Sequence, residues 1–462
     1  MRFDSAEFLF FLGAVLALHW IVPTRRALLI GASYAFYSSW NPPFLLLLLA
    51  STALDYSVGR RLQRTDDPTR RRAWLLLSLL GNLGVLGYFK YVNFFLDNLV
   101  ALGTLSPGWA DPLRVHTAIP LGISFYTFQT ISYSIDVYRR KIEACEDPMD
   151  FALFVSFFPQ LIAGPILRAA EFLPQLRRHR LPGRTQVLDG VELCLVGLFK
   201  KIVIADSFAL VVDRCFGAPE LYSGEALLIA IFAFSAQIYC DFSGYTTMAR
   251  GMAKLLGFEL PENFLFPLLA GNPIDYRRGW HMTMGNWFRD YLYRPLGGDR
   301  GTRARVVFNT VLTWMAFGLW HGASWNFVVW GMYNGLLLAA YRLLKSGDLL
   351  PDKSRLATTI GYLSMPFFVA FANVFFRAQS IDSALLMLSR ITTWAPGDNA
   401  VHLAWAAGLA LLYAWHWGNK KAWPGPHLSR LAWPARAVYL GGFLWVLMLF
   451  AGSGQPFYYF QF

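Results

Sequence analysis

One histidine of this 462-residue chain lies in a sequence context where an ionisable ring is unusual. His321 joins two strongly apolar segments, and residues 317–325 read Phe-Gly-Leu-Trp-His-Gly-Ala-Ser-Trp. The glycines on either side of Trp320 and His321 leave space for a substrate to approach closely. Trp320, Trp325 and Trp330 are candidates for the walls of a pocket, although tryptophan also favours membrane interfaces. A packing histidine is the alternative, but an ionisable residue at membrane depth is a functional candidate by default.

A second group of polar and aromatic residues occupies positions 275–298. Its members Trp280, His281, Arg289 and Asp290 stand among further arginines and tyrosines. Such a mixture is typical of a polar patch at the mouth of a cavity, where arginines can bind phosphate groups. An aromatic and basic belt at the membrane interface fits the spacing equally well.

The sequence lacks the motifs of several other common reactive sites. The sequence has no phosphate-binding glycine loop, dinucleotide motif, serine nucleophile elbow or metal-binding histidine pair. The cysteines Cys145, Cys194, Cys215 and Cys240 lie far apart, so we expect neither a zinc site nor a disulfide framework. Proton transfer is then the chemistry expected of His321. A neutral imidazole that deprotonates a hydroxyl as it attacks a thioester fits, and so does a proton relay or ion site in a transporter.

The composition places these residues in a membrane. Hydrophobic residues make up 55% of the chain, aromatic residues 17% and charged residues only 15%, whereas soluble domains have about 25% charged residues. The formal net charge of +12 is spread over many short connections. It therefore indicates membrane topology rather than nucleic-acid binding.

The apolar segments predict an all-α polytopic membrane protein with about 11 transmembrane helices plus short or re-entrant helices. Several segments are too short to cross a bilayer of about 30 Å. We find no repeat or linker, so residues 1–462 are expected to form a single membrane-embedded domain. The candidate spans are 7–22, 28–40, 44–58, 74–89, 119–137, 151–167, 191–212, 225–241, 306–321, 324–341, 359–376, 402–416 and 437–452.

Charge clusters predict the orientation of the first spans. Arginines and a lysine are dense in residues 60–72 and 139–141, which are therefore expected to be cytoplasmic. This places the segment 1–7 and the turn 41–43 outside. The acidic segment 1–7 lacks the features of a signal peptide, so the first apolar segment is expected to be a retained span. Later loops are basic on too many connections to give an orientation beyond about residue 150.

Many segments together resemble the membrane-bound O-acyltransferase family, in particular its bacterial branch of alginate O-acetyltransferase membrane subunits. The resemblance runs nearly end to end. It is carried by residues 8–18, 32–37, 120–129, 150–165, 237–245, 260–264, 280–281, 289–293, 318–325 and 459–462.

This resemblance implies a helical fold around a central tunnel, where a cytoplasmic activated acyl group meets a hydroxyl presented from outside. His321 matches the catalytic histidine of the family and is expected to be the general base. His281 matches its second signature polar position and is expected to support catalysis. Asp241, Ser243 and Tyr245 fall in a family motif and are expected to line the tunnel, as are the tryptophans and charged residues named above.

The predicted function is transfer of an acetyl group toward an extracytoplasmic polysaccharide, as in alginate O-acetylation, at the cell inner membrane. Acetyl-CoA or another acyl thioester is the expected donor substrate, with no permanently bound cofactor and no metal. A periplasmic acetyltransferase is the expected partner. The alternatives are D-alanyl transfer to teichoic acid and, from another class, a polysaccharide or lipid transporter. Transporters often have two similar halves, and no such internal symmetry is visible in this sequence.

Overall fold

The computed structural model describes residues 1–178, 180–347, 355–399, 403–422 and 428–450. The predicted all-α class is confirmed, since these residues form helices and no β-strand. The terminal motif at 459–462 lies outside the described residues. The α-helices are α1 Ala6–Ile21, α2 Arg25–Ser38, α3 Phe44–Arg64, α4 Pro68–Ala101, α5 Pro107–Ala110, α6 Ile123–Tyr138, α7 Pro148–Ser156, α8 Phe158–Leu161, α9 Ala169–Arg177, α10 Arg184–Leu198, α11 Asp206–Gly217, α12 Gly224–Leu255, α13 Pro273–Gly279, α14 Met282–Phe288, α15 Arg303–His321, α16 Trp325–Ser346, α17 Arg355–Arg377, α18 Ile381–Thr392, α19 Leu403–Ala422 and α20 Trp433–Phe450.

Helix lengths and exposed surfaces agree with a membrane protein. Among the described residues, five helices are long and apolar enough to cross a bilayer: α4, α12, α16, α20 and most of α17. Large apolar side chains such as Phe10, Leu80 and Val438 are more than 70% exposed, which is the surface expected toward lipid. The predicted number of about 11 transmembrane helices stays a prediction.

The helix in the candidate span 151–167 is interrupted just before Pro159. Helix α7 ends at Ser156, and the four-residue helix α8 follows Phe157. At this break the Ser33 hydroxyl accepts a hydrogen bond from the backbone N–H of Phe158 at 3.1 Å. A side chain from another helix thus satisfies a backbone donor released by the break, as non-helical backbone in a membrane requires.

The described residues fall into two compact units. One contains Met1–Cys194 and Met248–Pro261, and the other contains the described parts of Leu195–Thr247 and Glu262–Phe462. The expectation of a single domain is not tested by this division and stays a prediction.

A buried carboxylate links three helices of the first unit. Asp55 of α3 is fully buried and accepts hydrogen bonds from Ser78 and Asn82 of α4 and from Ser134 of α6, at 2.5, 2.6 and 2.7 Å. A buried charge is costly unless it is hydrogen-bonded. We assign this cluster to helix packing, because three donors satisfy the carboxylate.

A tight helical hairpin in the second unit positions His321. Helices α15 and α16 pack so closely that a Cβ atom at Gly318 would clash with the backbone of Phe327, and one at Gly331 with the backbone of Trp314. Small residues allow helices in membranes to approach in this way. His321 is the last residue of α15, so the hairpin fixes its place.

Candidate active site

His321 lies in a cluster of aromatic rings at the end of α15. Its side chain is almost fully buried, with a residue exposure of 3%. Its ring centroid is 4.9 Å from Phe317, 5.0 Å from Trp320, 5.2 Å from Trp330 and 5.0 Å from Phe376. These rings exclude water, and a dry site limits hydrolysis of an activated acyl group.

His281 is held in a strained backbone conformation between α13 and α14. Its φ is +42° and its ψ is 56°, which places a non-glycine residue in the left-handed region at a cost of about 1–3 kcal/mol. The next residue anchors the turn, because Met282 N–H donates to the backbone carbonyl of Asn263 at 2.9 Å. Such strain concentrates at functional sites.

The hydrogen bond of His281 defines which ring nitrogen carries the proton. Nδ1 of His281 lies 3.1 Å from Oδ1 of Asn263. That oxygen also accepts from the backbone N–H and the hydroxyl of Thr283, at 3.2 and 2.8 Å. An amide oxygen only accepts, so Nδ1 of His281 must donate. In the neutral ring Nε2 is then the nitrogen that can accept a proton.

The same ring is neutral at physiological pH. His281 has no exposed surface, and burial lowers the pKa of His281 to about 3. Desolvation disfavours the charged imidazolium, which is the reason for this direction.

Two aromatic side chains contact both histidines. The Trp320 ring lies 5.9 Å from His281 and 5.0 Å from His321, and the Phe317 ring lies 6.4 Å from His281 and 4.9 Å from His321. The structure therefore brings together two histidines that are 40 positions apart in the sequence.

A basic cavity lies beside this pair. It has a volume of about 820 Å³ and reaches as far as Phe317 and Trp280. His321 does not line it, and Phe317 is the residue that contacts both the cavity and His321. Its charged lining is dominated by arginine: Arg277, Arg278, Arg289, Arg294, Arg300 and Arg342, with Asp299.

Like charges in this cavity are close enough to affect one another. Burial, and then the charges of Arg342, Arg289 and Arg278, lower the pKa of Arg277. Arg342 donates to the hydroxyl of Tyr293 at 3.1 Å. Crowded guanidinium groups with few carboxylates favour a bound anion, and phosphate fits their geometry well.

Arg289 and Asp290 form a structural pair within the predicted segment. Two guanidinium nitrogens of Arg289 donate to the two carboxylate oxygens of Asp290 at 2.9 and 3.2 Å. Arg294 contacts the same carboxylate at 3.0 Å. Of these residues, Arg289 and Arg294 line the cavity, whereas Asp290 is buried and orients them.

Four predicted site residues lie elsewhere. Asp241, Ser243 and Tyr245 are buried in α12, and the cavity lining does not include them. Trp325 begins α16 and is 54% exposed. The sequence offered both Trp325 and Trp330 as pocket walls, and it is Trp330 that lies beside His321. The predicted role of these four residues in lining a tunnel stays a prediction.

Several residues at the site were missed by the sequence interpretation. Asn263 and Thr283 fix the His281 ring, and Arg342 enters the cavity from α16. Lys201 contacts Asp241 at 2.9 Å. A lysine and an arginine within apolar segments are a signal that sequence reasoning can use, but their partners depend on the fold.

The helical fold and the similarity to known proteins together define a class of membrane enzyme. Residues 145–347 match the model of the MBOAT, membrane-bound O-acyltransferase, family, and similarity to known relatives extends over most of the chain. The chain belongs to this family and is an acyltransferase.

Three of the similar proteins come from bacteria. The chain is 41% identical over 392 residues to a probable alginate O-acetylase, AlgI, of Azotobacter vinelandii, covering 84% of this chain and 77% of the relative. It is 35% identical over 387 residues to a peptidoglycan O-acetyltransferase of Helicobacter pylori, covering 78% and 72%. A teichoic acid D-alanyltransferase of Bacillus subtilis is 26% identical over 237 residues, covering 49% and 59%.

Proposed function

We propose that this protein transfers an acetyl group from a cytoplasmic thioester toward an extracytoplasmic polysaccharide at the cell inner membrane. The observation that carries the proposal is the pair of buried histidines that share Trp320 and Phe317 beside an arginine-lined cavity. Relatives named as acetylating enzymes match more of the chain, at higher identity, than the D-alanyltransferase does. This difference supports acetyl over D-alanyl transfer.

The cavity is the proposed entrance for the donor. Acetyl-CoA carries phosphate groups, and guanidinium groups bind phosphate with two parallel hydrogen bonds. With the phosphates held among the arginines, the thioester end points toward Phe317. The Phe317 ring must move for the acyl carbon to reach His321, because this ring lines the cavity and lies 4.9 Å from the His321 ring.

His321 acts as the general base in this scheme. Its neutral imidazole accepts the proton of an acceptor hydroxyl while the oxygen forms a bond to the acyl carbon. The C–S bond then breaks, and the imidazolium returns the proton to the departing thiolate. His281, neutral and fixed by Asn263, supports catalysis through Trp320 and Phe317, whose rings contact both histidines.

The final acceptor is a polysaccharide hydroxyl in this proposal, and an exported acetyltransferase is the partner that completes the transfer. The names of the two acetylating relatives, alginate O-acetylase and peptidoglycan O-acetyltransferase, both refer to polysaccharides. Neither name defines the polymer that receives the acetyl group from this protein.

The test is acyl transfer by the detergent-purified protein incubated with acetyl-labelled acetyl-CoA, with and without an acceptor extract. We expect His321→Gln to lower kcat by about 10²–10⁴-fold, because proton transfer by a positioned side chain contributes a factor of this size. His116→Gln, which changes an exposed histidine, is the control. Wild-type kcat in the His321 variant, with label transferred, would reject His321 as the base.

The same assay separates the donors. A D-alanyl carrier-protein thioester that labels the acceptor while acetyl-CoA does not would favour the teichoic acid alternative. Movement of acceptor across vesicles without any covalent label would favour a transporter.

A further inference from the structure

A buried cluster of three charges lies outside the cavity in the second unit. Nζ of Lys201 is 2.8 Å from a carboxylate oxygen of Asp206 and 2.9 Å from one of Asp241. All three side chains are at most 3% exposed. We call Lys201, Asp206 and Asp241 the charge triad.

A rare backbone form makes the triad possible. Lys201 lies in a π-helical segment, Phe199–Ala205, between α10 and α11. In an α-helix, residues five apart point about 140° away from each other, at 100° per residue. The π-helix closes its hydrogen bonds between residues five apart, and the backbone N–H of Asp206 does donate to the carbonyl of Lys201. Lys201 and Asp206 therefore share one face.

The third member of the triad belongs to α12 and adjoins the wall of the active site. Asp241 precedes Phe242, whose ring lies 4.7 Å from the His281 ring at an interplanar angle of 86°. Two residues further on, a Cβ atom at Gly244 would lie 2.8 Å from the carbonyl oxygen of Gly197 and 3.2 Å from the backbone nitrogen of Lys201. This part of α12 thus packs directly against the π-helical segment.

Stability alone is a poor reason for such a triad. Taking charges out of water is expensive, and buried ion pairs are often replaced by apolar residues without loss of stability. A defined register between two elements is the best-attested benefit of buried charges. Here the elements are the π-helical segment and α12.

We propose that the charge triad fixes the register of α12 and thereby positions the Phe242 ring against His281. Lys201 and Asp241 are positioning residues in this scheme, because they act through Phe242 and touch no reacting atom. The inference deepens the proposed function and rests on it. It also gives Asp241 a role different from the tunnel lining expected from the sequence.

Two isosteric variants test the triad with matched charge. Asp241→Asn and Asp206→Asn each leave one lysine and one carboxylate, so we expect similar thermal midpoints for the two proteins. Only Asp241→Asn removes the ion pair to α12. We expect it to lower kcat for acetyl transfer by about 10-fold to 100-fold, because a displacement of about 1 Å near a reacting centre has effects of this size.

The split between kinetic constants distinguishes positioning from donor binding. KM for acetyl-CoA is expected to stay unchanged in Asp241→Asn, because Asp241 does not line the basic cavity. Asp206→Asn is expected to lose less activity than Asp241→Asn. Lys201→Arg, which keeps the charge, is expected to retain more activity than Lys201→Met.

Each outcome decides between the two proposals. Equal kcat in Asp241→Asn and Asp206→Asn, or a loss confined to KM, would overturn the positioning role while leaving the proposed function intact. If the wild type itself transfers no acetyl group, the proposed function fails, and the positioning role fails with it.

Discussion

At the scale of single residues, the two histidines differ in what fixes them. His281 has a defined hydrogen-bond partner in Asn263 and a strained backbone, so its orientation is set before substrate binds. His321 is surrounded by four aromatic rings at 4.9–5.2 Å. Preorganised side chains need little rearrangement in the transition state, and this is the main way in which enzymes stabilise developing charge.

The lowered pKa of His281 predicts a pH dependence of stability. The native ring has a pKa of about 3, whereas the unfolded side chain titrates near 6.5. Between these values the unfolded chain binds about one more proton than the native chain, so His281 makes stability fall as the pH decreases from about 6.5 toward 3. Above about pH 6.5 the contribution of His281 to stability does not change with pH.

The measurement is the thermal midpoint of the detergent-purified protein between pH 4 and pH 7.5. We expect His281→Asn to reduce the fall in midpoint on the acid side, because asparagine does not titrate and also tolerates the left-handed backbone. The control is His116→Gln, which replaces an exposed histidine. This variant should leave the slope of thermal midpoint against pH on the acid side unchanged. A slope in His281→Asn as steep as in the wild type would show that His281 is not buried and neutral.

At the scale of elements, the hairpin of α15 and α16 and the break between α7 and α8 show how local sequence determines backbone geometry. Gly318 and Gly331 allow two helices to touch through their backbones, and the Ser33 hydroxyl satisfies an amide at the break. The glycines permit a close approach of two helices and the serine supplies a hydrogen-bond acceptor, and a bulky apolar residue could do neither in a membrane.

A methyl group at the helix crossing should therefore disturb the site. We expect Gly318→Ala to destabilise the protein by about 1–3 kcal/mol, the usual cost of overpacking, and to lower kcat because His321 lies one turn further along α15. Gly441→Ala on α20, where a Cβ atom meets nothing within 4 Å, is the matched control. Thermal midpoints and acetyl-transfer rates are the measurements, and equal behaviour of the two variants would contradict the close packing.

At a larger scale, the charge distribution of the second unit predicts which of its ends faces the cytoplasm. The start of α15 and the end of α16 carry Arg303, Arg305, Arg342 and Lys345 next to the basic cavity. The opposite end of the hairpin contacts the end of α17, where Arg377 pairs with Asp213 at 2.7 Å. Since excess basic residues mark the cytoplasmic side, the cavity is expected to face the cytoplasm.

Single cysteines test this orientation. In a protein whose four native cysteines are replaced by alanine, Arg300→Cys at the exposed rim of the cavity should react with an impermeant maleimide only from the cytoplasmic side. Glu220→Cys, exposed between α11 and α12, should react only from the other side. The reverse pattern in oriented vesicles would move the donor entrance to the outside and contradict a cytoplasmic thioester.

The span pattern was accessible from sequence because bilayer thickness imposes it. Every candidate span overlaps a helix, and the span 306–321 agrees with α15 within three residues. The chain has to satisfy its backbone hydrogen bonds within each apolar segment, so a run of apolar residues predicts a helix without knowledge of its neighbours. His321 became a candidate for a similar reason, since an ionisable residue between apolar segments is visible in the sequence. His281 stands in a polar patch instead, and its expected role came from the family resemblance.

Contacts between distant segments were decided by the tertiary structure alone. The family resemblance implied a tunnel-lining role for Asp241, which stays a prediction. Only the fold shows that Asp241 pairs with Lys201, 40 positions earlier, in a π-helical segment. The sequence offered no reason to connect Asn263 with His281, or to prefer Trp330 over Trp325 beside His321. Hydropathy determines which segments enter the membrane, but side-chain packing determines which faces of those helices meet, and packing depends on residues far apart in the chain.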